Sequence, residues 1–190
     1  MWMANESRSS MLSFAPLAEG EQDVTQRTTL GLDFGTSTTL IATREGDERV
    51  RIRPMTAATT WMATVAAVGE TNRLIVGEAA ENFPEKRIVR SVKSYLGSGT
   101  EVVRRMGVDG TDCDLSIDSI VSAILGEAVR RIGDVGLNFA TVQVHMACPA
   151  NWTGEIRGRL ICCARDAGIN LENSSGSGKL TPSVHLLAIG

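Results

Sequence analysis

An amphipathic helical pattern from Ser116 to Gly133 constrains the fold of this chain more than any other stretch. Apolar residues recur there at steps of three and four, which places them on one face of a helix. They are Ile117, Ile120, Val121, Ile124, Leu125, Ala128, Val129 and Ile132. Such a face must be buried against a second layer of structure. Ser116 is the expected N-cap, because its hydroxyl can accept hydrogen bonds from the first amides of the helix.

Strand patterns come before this helix. Apolar residues alternate over 30–34, and 38–43 is rich in β-branched and apolar residues after a glycine turn. The polar turn at 45–47 and the alternating residues 50–52 predict a third strand. The three strands are therefore expected to form an antiparallel meander.

Shorter elements are predicted next. Two strands are expected at 64–68 and 74–76, separated by the polar turn 69–72. A short helix is expected at 78–82, and it ends before Pro84 because the residue preceding a proline disfavours helical backbone.

A strand and a second helix follow the long helix. Residues 140–148 predict a strand that Pro149 ends, and residues 152–167 predict a helix that closes at Gly168. Strands followed by helix, strand and helix are typical of a mixed α/β fold.

The composition excludes several classes of protein. Of the 190 residues, 43% are hydrophobic and 22% are charged, which argues against disorder throughout. With 22 acidic and 19 basic residues, the net charge of −3 argues against a basic nucleic-acid module. No apolar run is long enough for a membrane span and no secretory signal is evident, so the expected location is cytoplasmic.

The cysteines do not form a metal-binding pattern. They are Cys113, Cys148, Cys162 and Cys163. None belongs to a CxxC pair, and two adjacent cysteines do not easily serve one tetrahedral site. We expect reduced thiols in the core.

The segment LDFGTSTT at 32–39 is the one most suggestive of chemistry. Glycine lets backbone amides approach an anion closely and hydroxyls add donors without charge, so this turn can bind phosphate. Asp33 would face a hydrated magnesium ion, since Mg²⁺ prefers carboxylate and water oxygens. The alternative is a structural hairpin turn in which Asp33 only caps the turn.

Several segments resemble one family. GLDFGTST at 31–38 resembles the first phosphate motif of the superfamily that contains actin, sugar kinases and seventy-kilodalton heat-shock chaperones. Later segments are similar to the chaperone branch, the DnaK type. These are VGEAAEN at 76–82, SVKSYLG at 91–97, VQVHMACPANW at 142–152, Arg157 and AGIN at 167–170. The resemblance spans residues 29–170.

The resemblance implies a fold and a ligand. The fold would be one lobe of an actin-like ATPase, with a ribonuclease H-like mixed sheet, and the ligands would be ATP and Mg²⁺ held through water. Gly35, Thr36 and Ser37 would contact the nucleotide phosphates. Asp33 would face the magnesium and the attacking water.

Two further site residues are implied by the resemblance. Lys93 matches the lysine that orients the water and neutralises the transferred γ-phosphate, a role for which an ammonium in a water-poor cleft is well suited. Its alternative role is that of a solvated surface lysine. Pro149 would close its strand near the phosphates, or be a plain strand stop.

The resemblance fails near the end of the chain. Residues 171–190 are interpreted as a polar linker and a divergent tail, in which Thr181 stands where the family has a magnesium-linked acid. The family closes ATP between two lobes, and this length accommodates one. We therefore expect a mobile leader at 1–28, a first lobe at 29–170, and ATP hydrolysis only if a second lobe is supplied.

The expected partners follow from this interpretation. They are nucleotide and either a protein that supplies the second lobe or client proteins, with no nucleic acid and no membrane. One alternative is a catalytically silent interaction module or truncated gene product that keeps the fold. A second is a sugar-kinase or actin-like relative, against which the segment around Lys93 argues.

Overall fold

The computed structural model describes residues 28–71, 73–133, 142–169, 171 and 180–182. The strands are β1 Thr28–Phe34, β2 Thr38–Glu45, β3 Arg51–Ile52, β4 Trp61–Ala63, β5 Ala66–Val68, β6 Leu74–Val76, β7 Ile88–Val89, β8 Val102–Met106, β9 Asp112–Ser116, β10 Gln143–Cys148 and β11 Leu180–Pro182. The α-helices are α1 Val92–Gly97, α2 Ile117–Gly133 and α3 Gly154–Asp166. Gly77–Asn82 and Glu85–Arg87 are 3-10 helices.

The main sheet is mixed, which confirms the α/β class. Its strand order is β11-β10-β1-β2-β3, and β4 also pairs with β2. β1, β2 and β3 form the predicted antiparallel meander, whereas β10 is parallel to both β1 and β11. The predicted succession of helix, strand and helix is present as α2, β10 and α3.

One face of the main sheet and the apolar face of α2 form the core. Leu30, Leu32 and Phe34 of β1 are buried, as their alternation predicts. On α2 every predicted apolar position is buried except Val129, which is partly buried. The Ser116 hydroxyl accepts a hydrogen bond from the Ser119 amide at 3.4 Å, as expected for the N-cap.

Helix α3 begins two residues later than predicted. Thr153 caps it, since its hydroxyl accepts from the Ile156 amide at 3.3 Å. Trp152 precedes the helix and its side chain is buried. At the other end Gly168 has a φ of 82°, which is the left-handed conformation predicted for this glycine.

The predicted strand at 64–68 is wrong as a single element. β4 ends at Ala63 in the main sheet, and β5 starts at Ala66 in a second sheet of order β6-β5-β7. Between them the Thr64 amide donates to the Ser37 carbonyl at 2.8 Å, and the Thr64 and Thr39 hydroxyls lie 2.8 Å apart. These bonds hold residue 64 against the β1–β2 turn, so the strand pattern is interrupted where the chain changes sheets.

Other predictions are confirmed in part. β6 lies at the predicted position, and the predicted helix at 78–82 is a 3-10 helix. β3 forms, but Val50 and Ile52 remain 65% and 55% exposed, so their alternation does not reflect burial. The helix α1 and the β8–β9 hairpin were not predicted.

The cysteines are all free, as predicted, but not all lie in the core. Cys148 and Cys163 are buried, Cys113 is partly exposed and Cys162 is exposed. The core prediction is therefore wrong for Cys162, because it points away from the buried face that Leu160 and Cys163 share on α3.

The predicted ends of the chain fall mostly outside the described residues. Of the proposed leader only Thr28 is described, and it is the first residue of β1. Of the proposed linker and tail, Leu171 is buried in the core and Leu180–Pro182 forms β11, while the remainder lies outside. The strand predicted from residue 140 is described from Gln143. Among the described residues no helix is long and apolar enough to cross a membrane.

Candidate functional site

The predicted site residues meet at one edge of the main sheet. β1 and β10 are neighbouring parallel strands, with Leu32 opposite Met146. Parallel strands end at the same edge of a sheet, which is where open α/β sheets bind ligands. Asp33 on β1 and Pro149, directly after β10, are therefore brought to this edge, and the Asp33 side chain is exposed there.

The turn between β1 and β2 is shaped by Gly35. Its amide donates to the Thr38 carbonyl at 2.9 Å, and a Cβ at this position would overlap that carbonyl oxygen. Thr36 and Ser37 are exposed at the turn. Their amides and hydroxyls donate no hydrogen bond within the part of the chain that the structure describes. These donors are therefore available to an anion.

Lys93 reaches the same edge from α1, far from Asp33 in sequence. Burial lowers the pKa of Lys93 below its usual value, and the nearby negative charges of Asp33 and of Cys148 as thiolate oppose this only in part. Lys93 makes no ion pair among the described residues. The ammonium and the Asp33 carboxylate thus influence each other without touching, and an oxyanion between them would be attracted to Lys93.

Ser91 sets the direction from which α1 starts. It precedes the helix with φ 54° and ψ 36°, the left-handed region that a serine seldom adopts. Its carbonyl accepts from the Ser94 amide at 2.9 Å and from the Tyr95 amide at 3.2 Å. Lys93 therefore lies in the first turn of a short helix with a constrained entry.

Cys148 and Pro149 form the β10 side of the site. Burial raises the pKa of the Cys148 thiol, although the cationic Arg157 and Lys93 oppose this, so the thiol is neutral at physiological pH. Pro149 is half-buried and accepts a hydrogen bond from the Trp152 amide at 3.2 Å. The chain thus turns sharply away from the sheet edge at Pro149.

These residues fit a magnesium nucleotide of the kind expected. Asp33 supplies an exposed carboxylate, and the described residues contain no group of three or more His, Cys, Asp or Glu that could hold a metal. A single carboxylate suits Mg²⁺ that keeps its waters and binds phosphate oxygens. The donors at Thr36 and Ser37 and the ammonium of Lys93 suit the phosphates.

A second charged cluster was missed by the sequence analysis. Arg131 on α2 lies 2.8 Å from Glu78 and 2.9 Å from Glu127, and it donates to the Met55 carbonyl at 3.2 Å. A Cβ at Gly77, whose φ is 75°, would lie 2.7 Å from the Arg131 Nη2. The cluster borders an open cavity of about 490 Å³. In the segment VGEAAEN, the glycine and first glutamate thus serve to seat this arginine.

No protein-family model matches this chain.

A lysine whose ammonium is partly buried should reduce the stability of the fold. We expect Lys93→Met to raise the free energy of unfolding by about 0.5–1 kcal/mol, because methionine keeps the apolar stem and removes the charge. Because folding lowers the pKa of Lys93, the destabilisation caused by its charge is fully present at neutral pH. This destabilisation disappears as the pH rises through the usual lysine range.

Urea unfolding at neutral and at alkaline pH measures this effect. The matched control is Lys86→Met at an exposed lysine, which we expect to change stability little. A Lys93→Met protein less stable than wild type at neutral pH would show instead that the ammonium stabilises the fold.

Proposed function

We propose that this chain binds Mg-ATP at the edge where β1 and β10 end, as the first lobe of an actin-like ATPase domain of the seventy-kilodalton chaperone type. The observation that carries the proposal is that the partly buried Lys93 lies close enough to Asp33, on β1, for their charges to interact. Nothing in the sequence separation of Lys93 and Asp33 requires the two residues to be close in space. Their proximity supports a phosphate site over the alternatives of a surface lysine and a purely structural turn.

The residues of the site have distinct roles in this proposal. The amides and hydroxyls of Thr36 and Ser37 hydrogen-bond the phosphates, because Gly35 allows the turn to approach them closely. The Lys93 ammonium neutralises charge on the terminal phosphate, at a partly buried position where water screens it less. Asp33 would hold magnesium through water, and the ion would supply charge neutralisation when bound.

Hydrolysis is a separate matter from binding. β11 is parallel to β10 with Thr181 opposite Ala147, so its end lies at the same sheet edge. In the sequence, Thr181 stands at the position where the resemblance expects an acid. We propose that ATP turnover needs a second lobe from a partner protein, in the cytoplasm. If no such partner restores activity, the missing acid at Thr181 favours the alternative of a catalytically silent interaction module.

Calorimetric titration with Mg-ATP tests the proposal. We expect saturable binding by the wild-type chain and affinity at least about 10-fold weaker for Lys93→Ala and Asp33→Asn, the equivalent of about 1.4 kcal/mol. Lys86→Ala and Asp47→Asn, at exposed positions away from the sheet edge, are the controls and should bind as wild type does.

Each result distinguishes the candidates. Loss of binding in both site variants, with circular dichroism of a folded protein, supports the nucleotide site. No saturable binding by wild type at millimolar Mg-ATP would contradict the proposal and leave the silent interaction module.

A further inference from the structure

One face of α1 lies against the segment that leaves β10. Lys93 and Gly97 are four residues apart and therefore lie on the same face of this helix. Cys148 is close enough to Lys93 for its thiolate form to interact with the ammonium, and the Trp152 indole lies on Gly97. The face of α1 that carries the lysine thus contacts Trp152 at Gly97 and lies near Cys148 at Lys93.

The contact between Trp152 and Gly97 requires a glycine. A Cβ at Gly97 would lie 2.8 Å from Nε1 and 3.2 Å from Cε2 of the Trp152 ring, which is closer than side chains pack. The ring is only 9% exposed, and the Trp152 amide is tied to the Pro149 carbonyl at 3.2 Å. The indole is therefore a rigid group fixed to the sheet edge, and α1 is pressed directly against it.

Helix α1 depends on such packing for its position. It has six residues, and helices of that length are not stable in water without tertiary contacts. A lysine side chain is flexible, so the place of its ammonium is decided by where the helix backbone is held. The other end of α1 is set by the left-handed Ser91, which leaves the Gly97 end to be held by its neighbours.

We propose that Trp152 is a positioning residue for Lys93: seated on Gly97, its indole holds α1 at the distance from β1 and β10 that places the ammonium beside Asp33. The inference rests on the proposed function in so far as Lys93 serves nucleotide binding. An aromatic ring suits the task because it is large and has few rotatable bonds. Trp152 does not itself touch the reacting atoms.

Lysine NMR provides a readout that is independent of nucleotide. The chain contains three lysines, Lys86, Lys93 and Lys179, so side-chain signals of isotope-labelled lysine are assigned by single Lys→Arg variants. The titration midpoint of Lys93 is then measured in wild type, Trp152→Phe, Trp152→Leu and Gly97→Ala. Ile132→Val, a core truncation in the last turn of α2, controls for general destabilisation.

We expect Trp152→Phe and Ile132→Val to leave the Lys93 midpoint where it is in wild type. In Trp152→Leu and Gly97→Ala the midpoint should rise toward the usual lysine range, and Mg-ATP affinity should fall about 10-fold, as a group misplaced by a fraction of an ångström can produce. Gly97→Ala serves if Trp152→Leu fails to fold, because it keeps the indole and only displaces it.

The outcomes separate this inference from the proposed function. An unchanged Lys93 midpoint in folded Gly97→Ala and Trp152→Leu overturns the positioning role, whether or not nucleotide binds. If wild type binds no Mg-ATP but the Lys93 midpoint responds to both variants, the positioning role holds and the nucleotide proposal fails.

Discussion

Arg131→Ala is expected to lower the free energy of unfolding by about 2–3 kcal/mol. The arginine side chain is 14% exposed and bridges Glu78 and Glu127. Its removal leaves the Glu78 carboxylate without its cation, and leaves Glu127 paired only with the exposed Arg130. The Met55 carbonyl also loses its donor. Glu78 is 35% exposed, so water screens part of the repulsion and the loss stays below that of a fully buried ion pair. Urea unfolding at neutral pH measures it.

The expected loss depends on pH. Burial alone would raise the pKa of Glu78, but hydrogen bonds from its own amide, the Ala63 amide and Arg131 lower it. Hydrogen bonds from Arg130 and Arg131 lower the pKa of Glu127 against the effect of burial. Carboxylates whose pKa is lowered by folding stabilise the fold at pH values above the usual glutamate range. That stabilisation is lost as the pH falls through the pKa values of the folded state. The difference in free energy of unfolding between wild type and Arg131→Ala should therefore become smaller at acidic pH.

Arg130→Ala is the matched control for this prediction. Arg130 precedes Arg131 on the same helix and also binds Glu127, but its side chain is 69% exposed. We expect its removal to cost about 0.5 kcal/mol or less. Equal losses for the two arginine variants would contradict the view that the cluster with Glu78 and Glu127 is a structural centre.

Gly35→Ala is expected to disrupt the β1–β2 turn, which carries the proposed nucleotide site. The new Cβ would overlap the Thr38 carbonyl, a backbone atom that cannot move without opening the turn. We expect a loss of about 1–3 kcal/mol in the free energy of unfolding, in the range typical of local backbone strain. Because the donors of Thr36 and Ser37 would be displaced, Mg-ATP affinity should fall at least about 10-fold.

Gly31→Ala is the control in the same strand. A Cβ at Gly31 meets nothing within 4 Å, so stability should stay within about 0.5 kcal/mol of wild type and binding should be unchanged. Unfolding curves and calorimetric titrations of both variants make the comparison. A Gly35→Ala protein that binds Mg-ATP as wild type does would show that the turn does not contact the phosphates.

The long periodic elements were predictable from sequence. The stripe of α2 and the alternation of β1 extend over enough residues for one period to dominate, and both elements occur as expected. Helix α1 has six residues, too few to establish a helical period, and its position depends on the contact with Trp152. The break between β4 and β5 depends on hydrogen bonds from Thr64 to the β1–β2 turn. No local sequence pattern predicts these hydrogen bonds.

The candidate site was predicted as residue types and not as an arrangement. The motif resemblance named Asp33 and Lys93, but only the fold brings them close enough for their charges to interact. Three of the glycines in the motif segments likewise have structural reasons that only the three-dimensional fold shows. Gly35 closes a turn, Gly77 makes room for Arg131, and Gly97 makes room for an indole.

Lysine NMR during a titration with Mg-ATP tests the central proposal most directly. Because the chain has three lysines, the Lys93 signal is followed beside that of exposed Lys86 in one spectrum. The proposed site predicts a saturable shift of the Lys93 signal, with Lys86 unmoved and the response abolished by Asp33→Asn. A Lys93 signal that stays in place at millimolar Mg-ATP, or that moves only as Lys86 does, would contradict a nucleotide phosphate at this sheet edge.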